Sequence, residues 1–408
     1  MRRRTMIAGL PGSLVFATAS RARAETAQPA AATIGVINDM SGSYSDLGGK
    51  GSLLGAQMAV EDFGGAVLGQ QVRVLAADHK NQPDLASTLA GDWINRQGVT
   101  AIADGGASSA ALAIQQVTAS KRCIFLATGP ATSDLTGVRC SPFGFHWTYD
   151  SYSLASGTAK TLARRGAKTW FFITAAYAFG HSVERDTTQL VNANGGHVLG
   201  HVLAPIGNSD FSSHLLQAKA SGADVIGLAV GGGDLISAVK QAHEFGMTGG
   251  KQALAGLLTF ITDVHAMGLE AAQGMVVTTS YDWEINAEMA AFAARFMARS
   301  GGRPPTMVQA GTYSGVQHYL KATAAAGTLD ADAVAAKMRA MPVQDFMSKD
   351  VAIRADGRVM RTNYVVSVKS PEQSRKPWDY FSLLATIDPN DAFRSLADGH
   401  CSLVSSKT

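Results

Sequence analysis

Cysteine is scarce in this chain: three residues in 408, at positions 123, 140 and 401, none in a Cys-x-x-Cys pair. They permit at most one disulfide, with one thiol left over. Charged residues make up only 16% of the chain, and no basic patch interleaves with aromatics, which sets nucleic acid aside as a partner. Beyond the first residues no apolar run is long enough to span a bilayer. No tandem repeat of solenoid period recurs, and low-complexity sequence is confined to alanine-rich patches. No carboxylate pair stands at a spacing that assigns general acid and base roles. What is present is length for two or three lobes and 46% apolar residues, the make-up of an ordinary soluble globular protein.

The N-terminus carries Arg2, Arg3 and Arg4, an apolar stretch from Met6 to Ala19, and the small-residue site Ala22-Arg23-Ala24. This is the pattern of a signal peptide over residues 1–24, with cleavage expected after Ala24. The stretch is short and contains Pro11 and two glycines, so it is not a permanent anchor. Export by the secretory route and by the twin-arginine route both stay open. The segment holds five arginines and no acids, so its removal turns the formal charge from +3 to −2, and the basic character belongs to the leader.

Residues 33–63, TIGVINDMSGSYSDLGGKGSLLGAQMAVEDF, read as strand, Ser/Gly-rich loop and amphipathic helix. Ile34 to Ile37 form the apolar run, and Leu53, Ala56, Val60 and Phe63 recur at helical spacing until Gly64 and Gly65 stop the helix. The loop between them, with Ser41 and Tyr44, lies at the carboxyl end of a strand, where open α/β sheets bind ligands. A phosphate loop fails on spacing, because G-x-x-x-x-G-K needs glycine where Tyr44 stands.

Strand-like and helical runs alternate through VRVLAAD, a helix 84–96, TAIADG, a helix 108–120 and CIFLAT, the rhythm of a parallel α/β sheet. SPFGFHWTYDS at 141–151 breaks it. The rhythm restarts at WFFIT with helices at 182–194, 211–221 and 234–245, giving a second lobe. TTSYDWEI at 278–285 breaks it again, and the alanine-rich helical stretches that follow return to the first lobe. We therefore expect lobe one at 32–148 plus about 282–345 and lobe two at 149–281 plus about 346–408, joined by several crossing segments that favour hinge bending.

In DGGASSAALAIQQ, Asp104 ends a strand, two glycines turn the chain, and Ser108 and Ser109 open a helix. Such serines either cap the helix or leave its N–H groups to meet an anion, for which a carboxylate is the natural guest. TGPATSDLT at 128–136 repeats the theme with Thr132. GASSA at 106–110 approaches a nucleophile elbow, but Ala110 stands where G-x-S-x-G needs glycine, so a serine hydrolase is the weaker reading. His197 and His201 are four apart in a β-like segment, about 13 Å at strand rise, too far to share a metal ion. Loop aromatics, Tyr44, Tyr177, Phe179 and Tyr281 among them, can wall a small apolar ligand, while Trp147 is read as packing. Cys123 lies in apolar CIFLA and Cys140 and Cys401 in polar surroundings. That favours a Cys140–Cys401 pair, with three unpaired thiols as the alternative.

Taken together, DMSGSYSDLGGKGSLLGAQMAVED, GGASSAALA, TGPATSDLT, YAFGHS at 177–182, NSDF at 208–211 and KQAHEFGM at 240–247 resemble the periplasmic solute-binding proteins of ABC importers, specifically the branched-chain amino acid (Leu/Ile/Val) receptor family. The resemblance covers nearly all of the chain after the leader. It implies the type I periplasmic binding fold, two Rossmann-like α/β lobes on a multi-segment hinge. It implies a monomer in the periplasm that hands its ligand to an inner-membrane permease, with no catalysis and no cofactor. By the same resemblance Ser109 and Thr132, with backbone near Pro130 and Ala131, hold a ligand carboxylate, and Tyr177 approaches from the second lobe.

Amino-acid binders of that family place an acid for the α-ammonium in the loop that matches AGLLTF at 255–260, where Leu257 stands and no acid is present. A buried ammonium without counter-charge is costly. The expected ligand is therefore a carboxylate lacking an α-amino group. The C-terminal KPWDYFSLLATI also resembles a subset of the family associated with aromatic or other organic acids. An amino-acid receptor and a ligand-sensing component are the alternatives.

Overall fold

The computed structural model describes residues 32–404, so the leader at 1–24 lies outside the described residues. The apolar run at 34–37 forms the middle of β1 (Ala32–Asn38), which is buried along its whole length. Burial on both faces is what a central parallel strand requires. Around it β2 (Ala66–Val67), β3 (Gln70–Asp78), β4 (Ala101–Asp104), β5 (Ile124–Ala127) and β6 (Gly144–His146) complete a sheet in the order β2-β3-β1-β4-β5-β6. β3 and β4 flank β1 in parallel, and only the short β2 runs antiparallel. Helices α1 (Gly49–Phe63), α2 (Pro83–Gln97) and α3 (Ser108–Ser120) make the crossovers.

The chain then crosses through Trp147 to Asp150 into α4 (Ser151–Arg164). Sequence periodicity does not reveal α4, because SYSLASGTAK buries small hydroxyl residues in place of an apolar stripe. Its start is set by a capping box in which Asp150 and Ser153 satisfy each other's backbone. The second lobe continues through β7 (Thr169–Ala175), α5 (Ala178–Ala193), β8 (His197–Ala204), α6 (Ser212–Ala220), β9 (Val225–Ala229), α7 (Gly233–Glu244), β10 (Ala253–Gly256), α8 (Ile261–Met267) and α9 (Leu269–Ala272). Its parallel sheet has the order β10-β9-β7-β8. β8 is an edge strand with alternating exposure; His201 Nδ1 meets Glu184 Oε1 at 2.6 Å, and no metal-binding cluster occurs among the described residues.

After β11 (Val276–Thr279) the chain returns to the first lobe as α10 (Ala287–Met297), α11 (Met307–Ala326) and α12 (Ala331–Ala340). α11 lies along α1, and glycine is required at position 55, since a Cβ there would stand 2.6 Å from the Gln309 carbonyl oxygen. A hairpin of β12 (Val343–Asp345) and β13 (Ser348–Val351) follows. β14 (Asn363–Val368) and β15 (Phe381–Ile387) then join β11 in an antiparallel sheet beside α4, where Thr278 Oγ1 meets Thr158 Oγ1 at 3.0 Å. Short helices α13 (Pro389–Ala392) and α14 (Leu396–Gly399) end the described chain.

Two stretches inside 346–408, expected wholly in lobe two, lie against the first lobe instead. Arg358 bridges to His146 at the edge of β6, and Cys401 forms a disulfide with Cys140. The remaining Cys123 is a buried thiol whose pKa burial pushes up to about 12, which leaves it unreactive.

The crossings are tied by two fully buried guanidiniums. Arg358 donates to the carbonyls of Thr148 (2.6 Å) and Tyr149 (3.3 Å), and Arg361 Nε to that of Trp147 (2.9 Å). Trp147 is itself core, donating to Ser314 Oγ at 2.8 Å.

Candidate ligand-binding cleft

Each sheet has a point where the chain leaves a strand for opposite neighbours, and crevices form there beyond the carboxyl ends. In the first lobe it lies between β1 and β4, and in the second between β7 and β9. The loops after these four strands face one another across the lobes.

The loop after β1 is held by Asp39. One carboxylate oxygen accepts from the Gly42 amide (2.7 Å), the other from the Tyr44 amide (2.9 Å) and Asn81 Nδ2 (2.5 Å). These bonds turn the Tyr44 ring inward, where it is buried. After β4 the chain adopts left-handed conformations at Asp104, Gly105 and Gly106 (φ 77°, 92° and 56°). The Asp104 carboxylate accepts from the Gly106 amide (3.0 Å) and Asn38 Nδ2 (2.6 Å). Burial raises its pKa. A Cβ at Gly129 would stand 2.2 Å from Asp104, so the third loop is pinned to the same carboxylate.

That turn delivers α3 to the cleft without a cap. Its N-cap is Ala107, which has no side chain to bond the first amides, and the first turn holds no acid. Ser108 is the first helical residue, so it does not cap this helix; its Oγ accepts from the Thr132 amide at 3.2 Å, and its own hydrogen has no acceptor among the described residues. The amides of Ser108, Ser109 and Ala110 precede the first intrahelical bond, from Ala111 to Ala107. Together these form a set of donors at the positive end of a helix.

They open onto a narrow pocket between the lobes, closed down to about 10 Å³ in this arrangement. Gly106, Ala107 and Ser108 form its donor end, and Tyr44, Leu47, Ala131, Phe179 and Leu258 its apolar wall; no charged side chain lines it. Tyr44 and Phe179 meet edge to face at 6.5 Å. The Tyr44 and Tyr177 hydroxyls bond each other across the lobes, and burial keeps Tyr177 protonated by raising its pKa well above the usual value. Further interlobe bonds run from the Gly233 amide to the Ser43 carbonyl (3.1 Å), from Thr132 Oγ1 to Ser182 Oγ (3.1 Å) and from Ser133 Oγ to Asp186 (2.7 Å).

Of the residues singled out from the sequence, Tyr44, Ser108, Ala131 and Phe179 come together in the cavity wall, with Tyr177 touching its rim. Thr132 directs its hydroxyl to the second lobe. The others stand elsewhere. Ser41 is exposed and bonds Asp78 (2.6 Å), Ser109 is half-buried just beyond the lining, and the Pro130 carbonyl accepts from His146 (2.8 Å). Leu257 is buried beside the cavity, and its neighbour Leu258 provides the wall. Tyr281 packs on Phe346 (6.0 Å) and donates to the Met289 carbonyl. Leu47, Ala107 and Leu258 carry no polar signature that pattern reading finds.

The acid missing from 255–260 occurs three residues on. Asp263 accepts from the Phe260 amide at 2.9 Å, capping α8, and burial pushes its pKa up to about 7. A folded-state pKa above the unfolded one gives stability that is present at low pH and lost as pH rises through about 7. Asp263→Asn, which mimics the protonated form, should therefore gain thermal stability relative to wild type as pH rises from 5.5 to 8.5. A melting-temperature difference independent of pH would contradict this.

A family model described as periplasmic binding protein matches residues 31–374. The chain belongs to the periplasmic binding proteins. A periplasmic binding protein from Burkholderia mallei is 43% identical, with a TM-score of 0.89 over 92% of this chain and 99% of that one. A branched-chain amino acid ABC transporter periplasmic ligand-binding protein from Burkholderia xenovorans is 37% identical, with a TM-score of 0.82 over 91% and 99%. At 22% identity, and so as a likeness of fold alone, a solute-binding protein of an ABC transporter from Rhodopseudomonas palustris, solved with 3,4-dihydroxybenzoic acid, gives 0.79 over 88% and 97%.

This periplasmic binding protein is thus of the branched-chain amino acid receptor type, with two α/β lobes on a multi-segment hinge. It is a binding protein and not an enzyme, one of a periplasmic family that includes ligand-binding proteins of ABC transporters.

Proposed function

We propose that this periplasmic binding protein captures a small carboxylate, an aromatic or other organic acid in preference to an α-amino acid, by closing its two lobes, and delivers it to a permease. The observation that carries the reading is the uncapped start of α3 with Ser108, opening into a cavity whose remaining wall is uncharged. A carboxylate there meets amide and hydroxyl donors at the positive end of a helix. An α-ammonium meets Leu258. The 3,4-dihydroxybenzoic acid bound by the Rhodopseudomonas palustris protein favours the aromatic-acid side, and the name of the Burkholderia xenovorans relative favours an amino acid.

Ligand contacts made by both lobes favour the closed state by their differential affinity. A thermal-shift screen separates the two readings, since a specific ligand raises the melting temperature by mass action. Benzoate and hydroxybenzoates should raise it and leucine should not; the reverse pattern would overturn the proposal. Ser108→Ala should weaken benzoate binding by about 10- to 100-fold, the worth of a hydrogen bond to a charged group. Unchanged affinity in that variant would remove Ser108 from the site.

A further inference from the structure

The last crossing between the lobes is covalent. β15 belongs to the sheet beside α4, and the chain leaving it stays on that helix: the Asp391 carbonyl accepts from Ser156 Oγ (2.9 Å) and Lys160 Nζ (3.2 Å). Phe393 is then buried under the Arg358 guanidinium, 4.4 Å from its ring centre, at the hinge. One residue on, Arg394 donates to the Ser133 carbonyl (3.0 Å), which is already first lobe. Gly137 is close-packed against this segment, since a Cβ there would stand 2.8 Å from the Gly399 carbonyl oxygen. Cys401 closes the path on Cys140.

Residues 388–401 thus run from the second lobe to the loop 133–140 of the first. That loop directly follows Ala131 and Thr132 of the cleft, and it carries interlobe contacts of its own. Ser133 and Asp134 reach Asp186 and Arg185 of α5 (2.7 and 3.1 Å), and the Ser133 amide donates to Ser151 Oγ of α4 (3.1 Å). Opening the lobes requires these groups to part, and a segment bonded at both ends opposes that motion.

We propose that residues 388–401, fastened by the Cys140–Cys401 disulfide, are a covalent strap across the hinge that limits opening and favours the closed arrangement before any ligand arrives. The strap acts on the equilibrium between the two states and adds no contact to the ligand.

Amide hydrogen exchange on the ligand-free protein tests this independently of what the cleft binds. The reporter is Gly233, whose amide bonds the Ser43 carbonyl across the lobes, on the cleft side and remote in sequence from the strap. In Cys140→Ser/Cys401→Ser, exchange at Gly233 should accelerate about tenfold, as for a cooperative opening, while β1, β4, β7 and β9 keep their protection. The radius of gyration in solution should rise with it. Faster exchange confined to residues 131–140 would show local anchoring only and overturn the proposal. So would a uniform loss of protection through both sheets, which marks a plain contribution to stability. Should the double variant fail to fold, the same comparison is made on folded wild-type protein before and after reduction, with the same expected change at Gly233 and the same contrary results.

Discussion

Replacing Leu258 with glutamate should convert the cleft to α-amino acids. The side chain lines the cavity from the loop after β10, in the same small pocket as Ser108, and none of the other lining residues is charged. A carboxylate at this position supplies the counter-charge that a buried ammonium needs, and Glu and Leu differ little in bulk. Pairing or unpairing a desolvated charge is worth about 2–5 kcal/mol, roughly 30- to 4,000-fold in Kd. Leu258→Glu should therefore gain leucine affinity by a factor in that range. It should lose affinity for a ring carboxylate, whose apolar body would lie against the new charge. Calorimetry of both ligands on both proteins checks this. Leucine affinity unchanged by the substitution would mean that the ammonium does not lie near this loop.

The second large effect concerns the hinge. Arg358 is fully buried and holds the carbonyls of Thr148 and Tyr149 together with Asp150, 3.5 Å from its carboxylate. Burial lowers its pKa to about 10, so it remains charged at neutral pH. Arg358→Met should destabilise the protein by about 3–5 kcal/mol, because Asp150 is left as an unpaired buried charge. Adding Asp150→Asn should recover part of that loss, since the two groups act as a unit. Denaturant unfolding of the three variants measures it. A loss under about 1 kcal/mol would show that water replaces the guanidinium at the crossing.

The parallel α/β sheet, though not the order of its strands, was legible in the sequence because ATIGVIN, TAIAD and IFLA are short apolar runs that a doubly covered sheet buries, and the intervening helices keep their periodicity. The sequence pattern predicts the third helix over 108–120, and the structure has Ser108–Ser120. α4 was not legible, since its buried face is mostly serine, glycine, threonine and alanine, with only Leu154 and Leu162 among them, packed against a β11 that is distant in sequence. The first-lobe attachment of Arg358 and Cys401 was equally hidden. A buried arginine between carbonyls has no periodic signature, and a disulfide partner 261 residues away is a matter of folding topology.

In the cleft, Tyr44 sits in a loop after a strand and Ser108 and Phe179 in the first turns of helices that follow strands, positions that pattern reading reaches, whereas Ala131 came through the family resemblance. Choosing between Leu257 and Leu258 depended on β10 ending at Gly256, a boundary that sequence patterns do not fix to one residue. The capping alternative for the serines turned on one position: the N-cap is Ala107, so Ser108 and its neighbouring amides remain available.

The central claim is that the cleft takes a carboxylate and disfavours an α-ammonium, and matched ligand pairs test it most directly. Titration calorimetry at neutral pH should compare 3-phenylpropionate with phenylalanine and 4-methylpentanoate with leucine, each pair differing only at the α-amino group. The expected result is tighter binding of the acid without the amine in at least one pair, by about 30-fold or more, the lower end of the cost of an unpaired buried charge. Leucine or phenylalanine binding more tightly than its deaminated partner would contradict the account.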